Sequence, residues 1–279
     1  MDDVELGRFR AQHEQPEPVK FAWPIVVFPE FFCTPRHLAV LLGYLTTIGW
    51  EVYAPDLRAH VAGGGASLAN FGFNDLIRLA AEALDAIGRD VVMLGHGVGG
   101  LAALKLGEHR RVKAAVAYAP LLPGARTPLT AGVANRIAAL VRRPLAPPRG
   151  RTLFELIADS DAFTRDAIIK AMVPGSRALL DDVVRGEIEF RNPAAPRLIV
   201  AGDSDIFAPY DLSEKFAASI GASIAKLSGR GHWLVGGRAL ERAIGETQRF
   251  LVRALGQDLL LLYPEEWKNE GGGGGGDQT

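Results

Sequence analysis

Short apolar runs rich in β-branched residues alternate along this chain with stretches of helical period, and few folds accept that alternation. Pro24–Phe28 (PIVVF) is the first run, and a helical stretch follows from about His37 to Ile48. Glu51–Ala54 reads as the next strand. Asn74–Ile87 reads as a helix with Ile77, Ala80, Leu84 and Ile87 on one face. A strand at Val91–Leu94, a helix from Val98 to about Leu106 and a strand at Val112–Tyr118 continue the pattern. It resumes with Arg197–Ala201, a helix near Leu212–Ile220, Ser223–Leu227 and a final helix near Arg238–Leu255. Strands covered on both faces read as continuous apolar runs. The alternation therefore predicts an α/β fold, with a mostly parallel sheet flanked by helices.

Residues 121–192 interrupt the alternation and hold no convincing strand. Helical stretches near Val133–Val141, Leu153–Met172 and Ala178–Val184 are separated by joints rich in Pro and Gly, such as Pro144–Gly150. A helical insertion at this point is placed to roof the carboxyl-end crevice where such sheets bind ligands; a plain extra packing layer is the alternative. Residues 1–20 are polar and carry Pro16 and Pro18, which predicts a loosely held lead-in. The expected division is thus 1–20 lead-in, 21–120 and 193–257 core, 121–192 cap, and 258–279 tail. The tail combines an apolar Asp258–Trp267 segment, suited to docking on the body or on a second copy, with the flexible run Gly271–Gly276. A homodimer is one expected assembly.

Composition excludes several classes. Hydrophobic residues make up 48% of the 279 residues, a globular balance that rules out disorder for most of the chain. Thirty-one Lys and Arg against 32 Asp and Glu leave a formal charge of −1, which argues against nucleic acid as a partner. A single cysteine, Cys33, excludes an internal disulfide and a multi-cysteine zinc site. The N-terminus lacks the apolar core of a signal peptide, and no run approaches the roughly eighteen apolar residues of a membrane helix. A cytoplasmic protein with no membrane association is expected.

The stretch Val91–Gly107 carries the chemistry. An apolar strand enters Gly95-His96-Gly97-Val98-Gly99 and passes straight into a helix, the spacing of the nucleophile elbow G-x-S-x-G. DLRAHVAG (Asp56–Gly63), AGDSDIFAP (Ala201–Pro209) and GRGHWL (Gly229–Leu234) resemble three further segments in the matching order. On these four segments the chain resembles the α/β-hydrolase superfamily over roughly residues 22–120 and 194–255. The resemblance implies that Asp205 is the triad acid, that His232 is the triad histidine, and that position 97 is the nucleophile position.

Two departures stand out. Position 97 is Gly97, which has no atom with which to attack a carbonyl. The His-Gly pair that the superfamily uses for its oxyanion hole is here Pro29-Glu30, followed by Phe31 and Phe32. Proline removes a donor, and glutamate brings negative charge where an oxyanion would form. Both changes argue against acyl-enzyme chemistry. An artificial serine-to-glycine replacement in an ordinary esterase would account for Gly97 but not for Pro29-Glu30.

What remains is His232 oriented by Asp205 as a general base. Glu30 would be a second proton-transfer group, its pKa raised by an apolar setting so that it serves as an acid. That pair suits proton abstraction, elimination, isomerisation or cyclisation of a small apolar carbonyl compound, or activation of a water. The rival is a catalytically inactive protein that binds a ligand or partner in the inherited pocket. Glu30 pointing to solvent or capping the next helix is the plainer alternative for that residue.

Phe31, Phe32, Val98 and His96 complete the expected oxyanion and substrate-binding set, His96 as a packed supporting residue. His60 fits a structural turn, Cys33 a buried inert thiol. Arg142, Arg143, Arg149 and Arg151 fit a solvated basic face. The six histidines show no metal-ligand spacing, so neither a metal nor a cofactor is expected. The glycines Gly95, Gly97, Gly99 and Gly100 do not make a dinucleotide site, because the strand from Val112 closes with Tyr118-Ala119-Pro120 and not with an acidic residue.

Overall fold

The structure, a computed structural model, describes residues 2–7, 9–57, 68–130, 143–191 and 195–261. Eight strands form one sheet: β1 (Asp2–Leu6), β2 (Phe9–Glu14), β3 (Ile25–Phe28), β4 (Val52–Pro55), β5 (Val91–His96), β6 (Val112–Tyr118), β7 (Arg197–Gly202) and β8 (Ser223–Leu227), in the order β1-β2-β4-β3-β5-β6-β7-β8. From β4 to β8 all neighbours are parallel, and β5, β6 and β7 are buried on both faces. Successive side chains of a strand point to opposite faces. Val27, Val92 and Leu94 therefore join one apolar cluster with Leu41, Leu42, Ile244 and Leu251, while Val26, Phe28 and Met93 join another with Leu79, Ala83 and Leu84.

Helices α1 (Ala39–Thr47), α2 (Phe73–Ile87), α3 (Val98–Leu106), α7 (Tyr210–Ser219) and α8 (Leu240–Leu255) supply the covering layers. Their ends agree closely with the periodicity. One difference is at the N-terminus. Residues expected to form a loose lead-in make the β1–β2 hairpin, which pairs antiparallel on β4. The polar sequence concealed it because an edge hairpin buries little: Phe9 and Ala11 are the residues of β1 and β2 that go inside. At the other end, Leu260 bridges to Phe21 and Leu259 is buried, while residues 262–279, the glycine run included, lie outside the described residues.

In the insertion, the expected helix at 133–141 lies outside the described residues. The expected single helix at 153–172 is two, α4 (Gly150–Leu156) and α5 (Ala162–Ala171). Asp161 breaks it: its carboxylate accepts the Phe163 and Thr164 N–H groups and starts α5 as an N-cap. The third, α6 (Arg177–Arg185), starts at the Ser176 cap. The insertion is bonded to the core by Val173 N–H to the Phe32 carbonyl (3.0 Å), Phe73 N–H to Asp182 (2.8 Å) and the Ser176 hydroxyl to the Phe71 carbonyl (2.6 Å). Arg143, Arg149 and Arg151 are exposed. Among the described residues, no helix is long and apolar enough to cross a membrane.

Glu51, at the foot of β4, ties the hairpin down. Its buried carboxylate accepts from the Tyr53 hydroxyl (2.8 Å) and from Arg89, and pairs with His13 of β2 (3.0 Å). Burial alone would raise its pKa, but the bonds from Tyr53, Arg89 and His13 win and lower it. A depressed carboxylate stabilises the fold above its unfolded-state pKa, and that contribution is lost as pH falls through the folded value. Glu51→Gln should cost about 1–3 kcal/mol at pH 7. The difference from wild type should shrink as the pH is taken below the ordinary carboxylate range, as measured by urea unfolding; a pH-independent difference would show that the charge on Glu51 is not what matters.

Candidate functional site

The crevice beyond the carboxyl ends of parallel strands is where an α/β sheet presents side chains. Four loops meet there, carrying Glu30 after β3, Gly97 after β5, Asp205 after β7 and His232 after β8. Gly97 sits on a sharp strand-to-helix turn with φ +54° and ψ −116°. Its N–H donates to the Tyr118 carbonyl (2.9 Å) and its own carbonyl accepts from Leu101 (3.0 Å) and Leu121 (3.1 Å). The elbow is thus intact without its side chain.

The space above Gly97 is filled by Glu30. A Cβ added at Gly97 would fall within bonding distance of Glu30 Oε2. That oxygen accepts from His232 Nε2 at 2.8 Å, and His232 Nδ1 donates to Asp205 Oδ2 at 2.8 Å. Asp205 Oδ1 accepts the N–H groups of Phe207 (2.7 Å) and Ala208 (3.1 Å). The other oxygen of Glu30 accepts the N–H of Phe31, so the carboxylate also engages a donor from the segment that the resemblance assigns to the oxyanion hole. Glu30 is 2% exposed and His232 is fully buried. The solvent-facing alternative for Glu30 is therefore wrong.

The charges follow from that burial. Desolvation disfavours a charged imidazole, but Asp205 and then Glu30 outweigh it and push His232 up to about 10. Burial raises Glu30, yet its bond to His232, the His232 charge and the Phe31 N–H leave its pKa lowered. Asp205 is lowered too, burial being overcome by His232 and the two backbone donors. A Glu30 carboxyl with raised pKa, acting as an acid, is thereby corrected: the charge of the neighbouring imidazole defeats the apolar setting.

A cavity of about 60 Å³ opens beside Glu30, walled chiefly by Phe31, Leu57, Phe71, Leu76, Val98 and Leu179. Phe31 and Val98 line it as expected; Phe32 turns into the core instead. His232, though bonded to Glu30, does not reach the cavity wall. Cys33 is buried and also lines the cavity. His96 packs against His232 and Trp233, with ring centroids 4.9 and 5.4 Å away. Burial and the nearby His232 charge pull His96 down to about 4. His60 lies outside the described residues.

Two contributions escaped the sequence. Ser176 and Leu179 of the insertion complete the cavity wall. Asp159, also from the insertion, accepts the N–H of Gly231 (2.6 Å), the residue before His232, and pairs with Arg230 (3.4 Å). Neither has a spacing signal, because each meets the site only through tertiary packing. Glu30 and His232, from two loops, and His96, at the end of β5, offer ligand atoms within 4.8 Å of one another, a cluster that linear spacing of histidines does not reveal.

A parallel sheet with a nucleophile-type elbow, an acid after β7 and a histidine after β8 defines a hydrolase-like α/β protein. The alpha/beta hydrolase family model matches residues 22–243, and the chain belongs to that family. No curated protein matches the chain. Among solved structures it is similar to a monoacylglycerol lipase of Paleococcus ferrophilus, at 19% identity, 86% of this chain, 98% of that one and TM-score 0.62. It is also similar to a thermophilic esterase of Thermogutta terrifontis (18%, 91%, 99%, TM-score 0.65) and to a pyrethroid hydrolase of Sphingobium faniae (20%, 83%, 98%, TM-score 0.57). At these identities the likeness is one of fold.

Because Glu30 occupies the volume of a side chain at 97, the two positions should be strongly coupled. Gly97→Ser alone should destabilise by roughly 2–4 kcal/mol through overpacking and backbone strain and show no esterase activity. Adding Glu30→Gly should recover at least about 1 kcal/mol of that loss and permit hydrolysis of p-nitrophenyl acetate. Additive stabilities in the double-mutant cycle would refute the shared volume.

Proposed function

We propose that this chain is an enzyme without a serine nucleophile, acting on a small, mostly apolar carbonyl compound by acid–base chemistry of Glu30, His232 and Asp205, with no acyl-enzyme. The observation that carries this is the Glu30 carboxylate: it stands where a nucleophile side chain would, bonded to a histidine that an aspartate orients, and faces an apolar cavity. Of the three groups, only Glu30 lines that cavity, so it is the one that meets a substrate. His232 acts through it as a positioning residue and proton store.

In the proposed step a C–H bond next to the substrate carbonyl breaks. Its proton goes to Glu30 Oε2 and its electron pair forms the enolate. The proton then returns to another carbon or to the enolate oxygen, giving isomerisation, or a leaving group departs, giving elimination. A water in the cavity in place of the C–H would give hydrolysis by the same base. With about 15 Å³ needed per water, the cavity holds only a small substrate unless side chains move. General acid–base help of this kind is worth about 10²–10⁴-fold.

A second reading has its own observation. A carboxylate whose oxygens engage both the histidine and the Phe31 N–H occupies the site as a bound carboxylic acid product would, which suits a silent ligand-binding protein. Deuterium exchange into small ketones and aldehydes in D₂O, followed by NMR, separates the two. An enzyme should exchange the α-hydrogens, and Glu30→Gln should lower kcat/KM by about 10²–10⁴-fold, while a fluorophosphonate probe should label nothing. His232→Ala should abolish an enzyme's turnover but leave a binding protein's ligand affinity nearly unchanged. Exchange equal in wild type and Glu30→Gln would eliminate the acid–base mechanism.

A further inference from the structure

We propose that Glu30, His96 and His232 together bind one divalent first-row transition-metal ion, of the zinc or iron(II) class. This rests on the reading that these side chains form the working site, and goes beyond it by adding an ion to their chemistry.

The argument starts from an unpartnered atom. His96 is fully buried, and its Nε2 lies 2.8 Å from the backbone carbonyl of His232. A carbonyl only accepts, so Nε2 carries the proton and Nδ1 of the neutral ring presents a bare lone pair. That Nδ1 has no hydrogen-bond partner and lies 3.9 Å from Glu30 Oε2. Oε2 is itself an acceptor, already taking the proton of His232 Nε2. Two buried acceptor atoms with no donor shared between them are a costly arrangement, and a cation between them removes the cost.

The geometry suits an ion. The three ligand atoms lie within 4.8 Å of one another. An ion bound tetrahedrally at about 2.0–2.2 Å sets its ligand atoms roughly 3.3–3.6 Å apart, so the His96 ring must move inward and the 2.8 Å His232–Glu30 contact must open as the ion enters. Two imidazoles and one carboxylate are a donor set that zinc and non-haem iron both accept. The supporting bonds fit as well. Metal-bound histidines donate their remaining N–H to a carboxylate or a backbone carbonyl, and here His232 donates to Asp205 while His96 donates to the His232 carbonyl. Of the three ligands Glu30 lines the cavity, so the ion would lie directly behind it. Binding displaces the proton between His232 and Glu30, which passes to solvent.

The test uses the full chain, stripped with a chelator and titrated with zinc by calorimetry and with cobalt(II) by visible absorption. One equivalent should bind, new visible bands should appear with cobalt, and zinc should raise the Tm of wild type. Glu30→Gln and His96→Gln should each weaken zinc binding on the order of 100-fold, and Asp205→Asn by about 10–100-fold. His96→Gln is informative because the glutamine amide can still donate to the His232 carbonyl while the lone pair of Nδ1 is lost. Equal zinc affinity in wild type and folded His96→Gln would overturn the site. If that variant does not fold, wild-type protein that retains no zinc and gives no new cobalt bands would overturn it equally. Chelated wild type that exchanges substrate hydrogens but binds no metal would remove this inference and leave the acid–base function standing. Metal binding with no turnover in either form would do the reverse.

Discussion

Everything in the crevice depends on one imidazole held between two buried carboxylates. Asp205 and Glu30 each lie 2.8 Å from a nitrogen of His232, and all three side chains are out of water. A buried charge is tolerated only when it is paired and its remaining lone pairs are satisfied. Asp205 meets that condition with two backbone donors and Glu30 with one. Removing His232 would leave two carboxylates charged and unpaired in the interior, whereas removing either carboxylate would leave the imidazole with one anionic partner. The row of charges therefore constrains three loops at once, those after β3, β7 and β8.

The steric condition for this arrangement is the bare Cα at position 97. The turn itself serves the fold: it feeds β5 into α3, and its peptide groups are bonded to Tyr118, Leu101 and Leu121. It would be kept whatever chemistry the crevice performs. Its side chain is a separate matter, and here the volume above the turn belongs to a residue from a different loop. A serine at 97 and a glutamate at 30 exclude each other in the present geometry, so the residues at the two positions are sterically linked.

Much of this was legible in the chain. β5 and β6 are apolar on both faces, so their runs stood out, and the G-x-G-x-G spacing located the elbow to the residue. Asp205 and His232 were readable because the loops that carry them keep a local pattern. The β1–β2 hairpin was not, since its buried contribution is small. The direction of the Glu30 pKa was not either. A sequence places Glu30 beside Phe31 and Phe32, which argues for a neutral carboxyl, but only the fold brings a cationic ring 202 residues away into contact with it. The unpartnered nitrogen of His96 was hidden for the same reason, because it arises only from three-dimensional packing.

Asp159 adds a last consequence. It belongs to the insertion, yet it grips the peptide immediately before His232, and its own carbonyl accepts from Arg238 beyond that histidine (3.3 Å). The roof of the cavity and the loop that aims the imidazole are thus latched at one point. Displacing that latch to widen the entrance would also pull on the His232–Glu30 bond. The insertion that completes the cavity wall and the loop that aims the imidazole are held as one mechanical unit.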